Sequence, residues 1–107
     1  ISESGQGSPL AVLKLFGPGN ENYLSFPMEG FTLALDFKNQ PALFPLLDEL
    51  DKIVSEYEGR VYLAKDARIK EKNFESGYAK IKEFRSLRHQ DNLEIKFQSH
   101  QSRRLGL

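Results

Sequence analysis

Residues 39–57 carry the strongest periodic pattern in the chain. Apolar side chains recur there at steps of three and four, as they do along one face of an α-helix: Leu43, Leu46, Leu47, Leu50, Ile53, Val54 and Tyr57. Pro41 suits a first helical turn, Asn39 or Gln40 can cap the amino end, and Gly59 is expected to close the helix in a left-handed conformation. The polar face, expected to meet water, contains Asp48, Glu49, Asp51, Lys52, Ser55 and Glu56.

Two apolar runs before this helix predict strands. Residues 10–16 are short and almost continuously apolar, which is typical of a strand buried on both faces, with Lys14 as the polar exception. Residues 31–37 alternate, so Phe31, Leu33, Leu35 and Phe37 share one face while Thr32, Ala34 and Asp36 share the other. The turn-rich connection is too long for a tight hairpin, and we predict a wide antiparallel pair.

The rest of the chain predicts one more strand and further helices. We expect a third strand at residues 60–64, a short helix at 70–76 and an amphipathic helix at 78–89. Residues 91–107 are polar with few apolar positions, so this tail is expected to dock on another surface. Residues 1–9 are rich in Ser and Gly and are expected to be a flexible lead-in.

These elements predict an α+β fold. Its parts are a small antiparallel sheet covered by a long helix, with a helical C-terminal extension.

Charge and cysteine content exclude several classes of function. Fifteen Lys and Arg balance fifteen Asp and Glu, which argues against a nucleic-acid partner. The chain has no Cys, and His89 and His100 lack a ligand pattern, so no metal site is expected. No apolar run approaches the roughly 20 residues of a transmembrane segment. The first residues do not form a signal peptide, and there is no initiator Met, so we expect a chain that begins within a longer protein or that was processed. The expected compartment is the cytoplasm.

Three places in the sequence could carry chemistry. Lys14 either points outward from an edge strand or faces a polar cavity, because an unpaired buried ammonium is costly. Tyr62 and Lys65 converge if the predicted third strand breaks at Lys65; otherwise Lys65 belongs to an ordinary solvated ion pair. Arg103 and Arg104 are interpreted as a solvated or interface pair.

Four blocks of the sequence, taken in order, resemble one family of flavin enzymes. The blocks are VLKLFGPGN (12–20), LSFPMEGFTLALDF (24–37), GRVYLAKDAR (59–68) and QSRRLGL (101–107). They are similar to the C-terminal part of vanillyl-alcohol-oxidase-type FAD-linked oxidoreductases, in the group of sugar-lactone oxidases and decaprenylphosphoryl-ribose oxidases. The resemblance extends through residues 10–107 with the same spacing between blocks.

The resemblance implies a larger, two-domain protein. Residues 10–59 would form the C-terminal end of a substrate domain, and residues 60–107 would return to pack on the protein's own N-terminal FAD-binding domain. The implied reaction is oxidation of a secondary alcohol of a small sugar, sugar lactone or polyol by hydride transfer to flavin. The chain has no glycine-rich pyrophosphate loop, so by itself it is expected to bind FAD weakly or not at all.

The resemblance also implies roles for single residues. Lys65 matches a lysine beside the flavin pyrimidine ring, a catalytic and cofactor-binding position, and Tyr62 matches a tyrosine of the substrate cavity. Lys14 matches a substrate-pocket lysine, and Val12 would line the same pocket.

Two further substrate-binding positions differ from the family. Thr32 and Ala34 stand where the ribose oxidase carries Asn and Cys. An identical substrate and Cys-directed chemistry are therefore not expected here.

The alternative function is a non-catalytic α+β protein-interaction module. It would bind a partner, or a second copy of itself, through its tail and the exposed edge of the sheet. A tail ordered on its own body would favour the module, whereas a tail disordered without an FAD domain would favour the enzyme segment.

Overall fold

The computed structural model describes residues 1–107 and has an α+β architecture, as predicted. Two strands, β1 (Leu10–Phe16) and β2 (Gly30–Asp36), form one antiparallel sheet. The helices are α1 (Leu43–Glu56), α2 (Glu71–Gly77), α3 (Ile81–Gln90), α4 (Leu93–Lys96) and α5 (His100–Arg104), with 3-10 turns at Ser2–Ser4 and Leu63–Lys65. None of these helices has the length and apolar character needed to cross a bilayer.

The strand pairing follows the prediction, but the burial of the strands does not. Alternation places one set of apolar side chains on a single face, where they are 57% to 73% exposed: Leu13, Leu15, Phe31 and Leu33. The prediction that β1 is buried on both faces is therefore wrong. The physical reason is that no second layer of this chain lies over that face.

The long helix covers less of the sheet than predicted. Its main packing partner is α2, and Leu43 is the only member of the apolar stripe that is fully buried. Tyr57, at the other end of the stripe, is 83% exposed. Asp51, expected to face water, is instead buried, because the guanidinium of Arg68 reaches its carboxylate at 2.6 Å.

Both ends of α1 differ from the prediction. No side chain caps its amino end, and Ala42 occupies the cap position, so Asn39 and Gln40 are not caps. At the carboxyl end, Glu58 rather than Gly59 is left-handed, with φ 55°. The amide of Gly59 then donates to the Val54 carbonyl at 2.8 Å, which completes the hydrogen-bonding pattern of a Schellman motif.

The predicted third strand is absent. Residues 60–62 pair with no strand, Tyr62 is extended, and the chain then turns through Leu63–Lys65. Tyr78 occupies the hydrogen-bonding position that a neighbouring strand would need, because its hydroxyl donates to the Val61 carbonyl at 2.8 Å.

The hydrophobic core lies in the second half of the chain. Its five buried members come from four different segments: Ile69, Phe74, Tyr78, Ile81 and Leu105. Leu105 belongs to the polar tail, so the tail packs on its own body. Ile95 and Phe97, also in the tail, are exposed.

Candidate functional site

The sheet gathers the four predicted substrate-binding residues into one patch. Val12 lies opposite Ala34, and Lys14 lies opposite Thr32, as direct partners across the two strands. Positions two apart in a strand share a face, so the two pairs are neighbours with Cβ atoms about 5 Å apart across each pair. Val12, Thr32 and Ala34 are half-buried, whereas Lys14 is exposed. We call these four residues the sheet patch.

The two predicted catalytic residues are joined by a 3-10 turn. The amide of Lys65 donates to the carbonyl of Tyr62 at 3.2 Å, and the amide of Asp66 donates to Leu63 at the same distance. Tyr62 is extended and precedes the 3-10 turn, which runs from Leu63 to Lys65. The chain therefore turns before Lys65, and not at Lys65 as the predicted convergence of Tyr62 and Lys65 required.

An aromatic chain connects the sheet patch to this turn. Phe16, two residues after Lys14 on the same face of β1, meets the ring of Phe26 edge-on at 5.9 Å between centroids. Phe26 in turn lies against the ring of Tyr62 at 4.8 Å. The contacts of Phe26 could not be predicted from the sequence, because this residue lies in a turn-rich connection with no periodic pattern.

Three polar groups of the site have no bonding partner within the chain. The ammonium groups of Lys14 and Lys65 and the hydroxyl of Tyr62 form no hydrogen bond or ion pair with other residues, and none joins these three groups to one another. All three side chains are exposed. An exposed, unpaired ammonium on a turn is free to bind an electron-rich group, and this chemistry is compatible with the edge of a flavin ring.

An apolar cleft flanks the site. Its volume is about 420 Å³, and it opens between the sheet and α1. Phe16, Phe26 and Thr32 contribute to its wall, and Arg60 supplies a cation at its edge. The site thus combines a predominantly apolar wall with a few polar groups, as small-molecule sites commonly do.

The turn that carries Lys65 is held by residues that the sequence analysis missed. The side chain of Asp66 is only 3% exposed and accepts a hydrogen bond from Arg104 at 2.7 Å. Burial favours a raised pKa for Asp66, but bonds from the Ile69 and Arg68 amides and from Arg104 hold its pKa below the ordinary value. Of the two interpretations of the arginine pair, solvated or interface, the solvated one is therefore wrong for Arg104.

The buried hydroxyl of Tyr78 makes the stability of the fold depend on pH. Burial is the main cause that raises the pKa of its hydroxyl to about 12. Because the neutral form is favoured in the folded state, its contribution to stability is complete below about pH 10 and is lost as the pH rises through about 12.

We expect a Tyr78→Phe variant to lose the tyrosine ionisation near pH 12 and the loss of stability that goes with it. Phenolate absorbance of wild type minus variant should show one tyrosine ionising near pH 12. The wild type should also lose stability more steeply than the variant as the pH rises above about 10, its ordinary pKa. Ionisation of the extra tyrosine at its ordinary value, with the chain still folded, would contradict the burial of this hydroxyl.

Comparison with known proteins confirms the predicted resemblance to the C-terminal part of an FAD-linked oxidase. Over 107 residues the chain is 41% identical to decaprenylphosphoryl-beta-D-ribose oxidase of Mycolicibacterium smegmatis, and it covers 23% of that protein. It is 37% identical over 108 residues to an uncharacterized protein in the mprA 5′ region of Streptomyces coelicolor, covering 29% of it. The chain thus spans about a quarter of the length of the curated relatives it matches. No family model matches it.

Proposed function

We propose that this chain is the C-terminal portion of an FAD-dependent oxidoreductase that oxidises a secondary alcohol of a sugar, sugar lactone or polyol by hydride transfer to flavin. The observation that carries the proposal is the arrangement of the site. Two cross-strand pairs, Val12 with Ala34 and Lys14 with Thr32, are linked by packed aromatic rings to the turn that bears Lys65. The similarity to an oxidase named for a ribose derivative supports the class of substrate.

Each residue has a distinct task in this proposal. FAD, when bound, supplies the acceptor for the two electrons of the alcohol. The ammonium of Lys65 stabilises the negative charge that develops on the pyrimidine side of the ring system. The hydroxyl of Tyr62 orients a substrate oxygen, and the ammonium of Lys14 binds an electron-rich oxygen of the substrate beside Thr32.

The domain assignment belongs to the same proposal. Residues 10–59 end the substrate domain, and residues 60–107 pack on an N-terminal FAD-binding domain of the same protein. The exposed apolar side chains of the tail, Ile95 and Phe97, are available for that contact. The nucleotide part of FAD is held by the larger domain.

One observation favours the alternative function. Leu105 is buried in the chain's own core, so the tail is ordered without a second domain, as expected of a self-sufficient interaction module. The apolar face of the sheet, with Leu15 and Phe31 exposed, would then bind a partner or a second copy. Absence of flavin from the intact protein after gel filtration would favour this module.

Lys65→Met tests the enzymatic proposal in the intact protein. The variant should reduce its flavin with substrate at least about tenfold more slowly, since it loses a charge that acts mainly in the transition state. Rapid-mixing absorbance measurements report this step directly. Lys82→Met, which removes an exposed lysine of α3 that has no ion pair, is the matched control and should leave the rate unchanged. A wild-type rate in Lys65→Met would remove Lys65 from the mechanism.

A further inference from the structure

The residues that follow Lys65 are held by the C-terminal helix. Arg104 donates to the Asp66 carboxylate at 2.7 Å and, through its other terminal nitrogen, to the carbonyl of Ile69 at 2.5 Å. One guanidinium therefore fixes both ends of the segment 66–69. A planar group with two donors fixes direction as well as distance.

A second residue of α5 holds the turn itself. The side-chain amide of Gln101 donates to the carbonyl of Leu63 at 2.7 Å and approaches the carbonyl of Asp66 at 3.4 Å. These two carbonyls flank Ala64 and Lys65. Hydrogen bonds thus hold the backbone before and after Lys65, while the side chain of Lys65 forms no hydrogen bond or ion pair.

The helix that supplies these contacts is itself well anchored. Ser99 and Ser102 form a reciprocal capping box at its amino end. At its carboxyl end Leu105 is fully buried, and Gly106 is left-handed with φ 64°. Arg85 of α3 donates to the carbonyls of Leu105 at 2.9 Å and of Gly106 at 2.7 Å. The helix can therefore act as a fixed support.

We propose that Arg104 and Gln101 are positioning residues that set the place of Lys65 against the cofactor. The inference rests on the proposed function of Lys65 and adds a specific task for the C-terminal helix. A charge stabilises a transition state fully only when its position is fixed beforehand, and a small displacement can cost up to about 100-fold in rate. The contacts of Arg104 and Gln101 fix the backbone from which the Lys65 side chain extends, in part through the buried carboxylate of Asp66.

The neighbouring arginine provides an internal comparison. Arg103 is exposed, and its side chain contacts only the amide oxygen of Gln98, at 3.1 Å. Arg103 and Arg104 have the same charge and lie in the same helix, yet only Arg104 reaches the turn. Removing either one changes the net charge equally, so the difference between the two variants isolates the contact with Asp66.

The test uses the intact protein with bound flavin and two measurements, the rate of flavin reduction and the midpoint potential of the flavin. Arg104→Ala should slow reduction by at least about threefold and shift the potential downward, the direction expected for Lys65→Met. Arg104→Lys, which keeps the charge but not both hydrogen bonds, should lie between wild type and Arg104→Ala. Arg103→Ala should match wild type in both measurements.

The double variant Lys65→Met with Arg104→Ala separates positioning from general stability. If Arg104 acts through Lys65, the double variant should equal Lys65→Met within about twofold. Fully multiplicative effects, or a wild-type potential in Arg104→Ala, would overturn the inference. If Arg104→Ala fails to fold, Arg104→Lys and Gln101→Ala carry the same comparison. A normal rate and potential in Lys65→Met would refute the proposed function itself.

Discussion

Replacing Phe74 with alanine should lower the free energy of unfolding by about 3–5 kcal/mol. The ring has no exposed surface, and it lies 5.1 Å from the ring of Tyr78 at the centre of the core. The core contains only five buried residues, so few neighbours could move to fill the space. A loss of this size is a large share of the roughly 5–15 kcal/mol that stabilises a typical domain.

Urea denaturation of the 107-residue chain, followed by circular dichroism, measures this loss. Phe97→Ala is the matched control, because that ring is 59% exposed and lies outside the core. Its effect should stay within about 0.5 kcal/mol. Similar midpoints for the two variants would show that the core does not centre on Phe74.

Replacing Arg68 with methionine should destabilise the chain by about 3 kcal/mol at neutral pH. The guanidinium holds Asp51 at 2.6 Å and Asp48 at 2.8 Å, and Asp51 is only 6% exposed. Without Arg68, the Asp51 carboxylate remains buried with an uncompensated charge. Lys70→Met, which removes a largely exposed partner of Asp48, should cost less than about 1 kcal/mol.

The loss in Arg68→Met should depend on pH. Burial raises the pKa of Asp51, and the attraction of Arg68 opposes that rise. A carboxyl with a raised folded-state pKa stabilises the fold when protonated, and this contribution is lost as the pH rises through that pKa. The variant should therefore recover stability as the pH falls below neutral.

A second substitution tests whether the uncompensated charge causes the loss of stability in Arg68→Met. Adding Asp51→Asn to Arg68→Met should restore much of the loss at neutral pH, because it removes the uncompensated charge. No recovery would show that the packing of Arg68, rather than its charge, dominates.

The local sequence pattern was sufficient to predict the long helix and the faces of the strands. Periodicity located α1 because the spacing of apolar residues is a property of the helix itself. Alternation determined that Val12 shares a face with Lys14 and that Thr32 shares a face with Ala34. The grouping of all four into one substrate-binding patch came from the family resemblance. Alternation could not determine which face is covered, since that depends on a second layer.

Three of the features that the sequence could not predict depend on distant partners. Residues 60–64 have the composition of a strand, but a strand also requires a neighbour, and Tyr78 takes the bonding position instead. Asp51 has a polar side chain on a predicted outer face, and its burial depends on Arg68, 17 residues further along. Asp66 and Arg104 are 38 residues apart, with no local signal that they pair.

The core and the sheet patch occupy separate parts of the molecule, and this separation has an evolutionary consequence. All five buried core residues lie at or beyond Ile69, whereas Thr32 and Ala34 lie on a two-stranded sheet far earlier in the chain. Substitutions at Thr32 or Ala34 therefore leave the five buried core residues untouched. Under the proposed function, a change of substrate preference at these two positions would need no compensating change in the core.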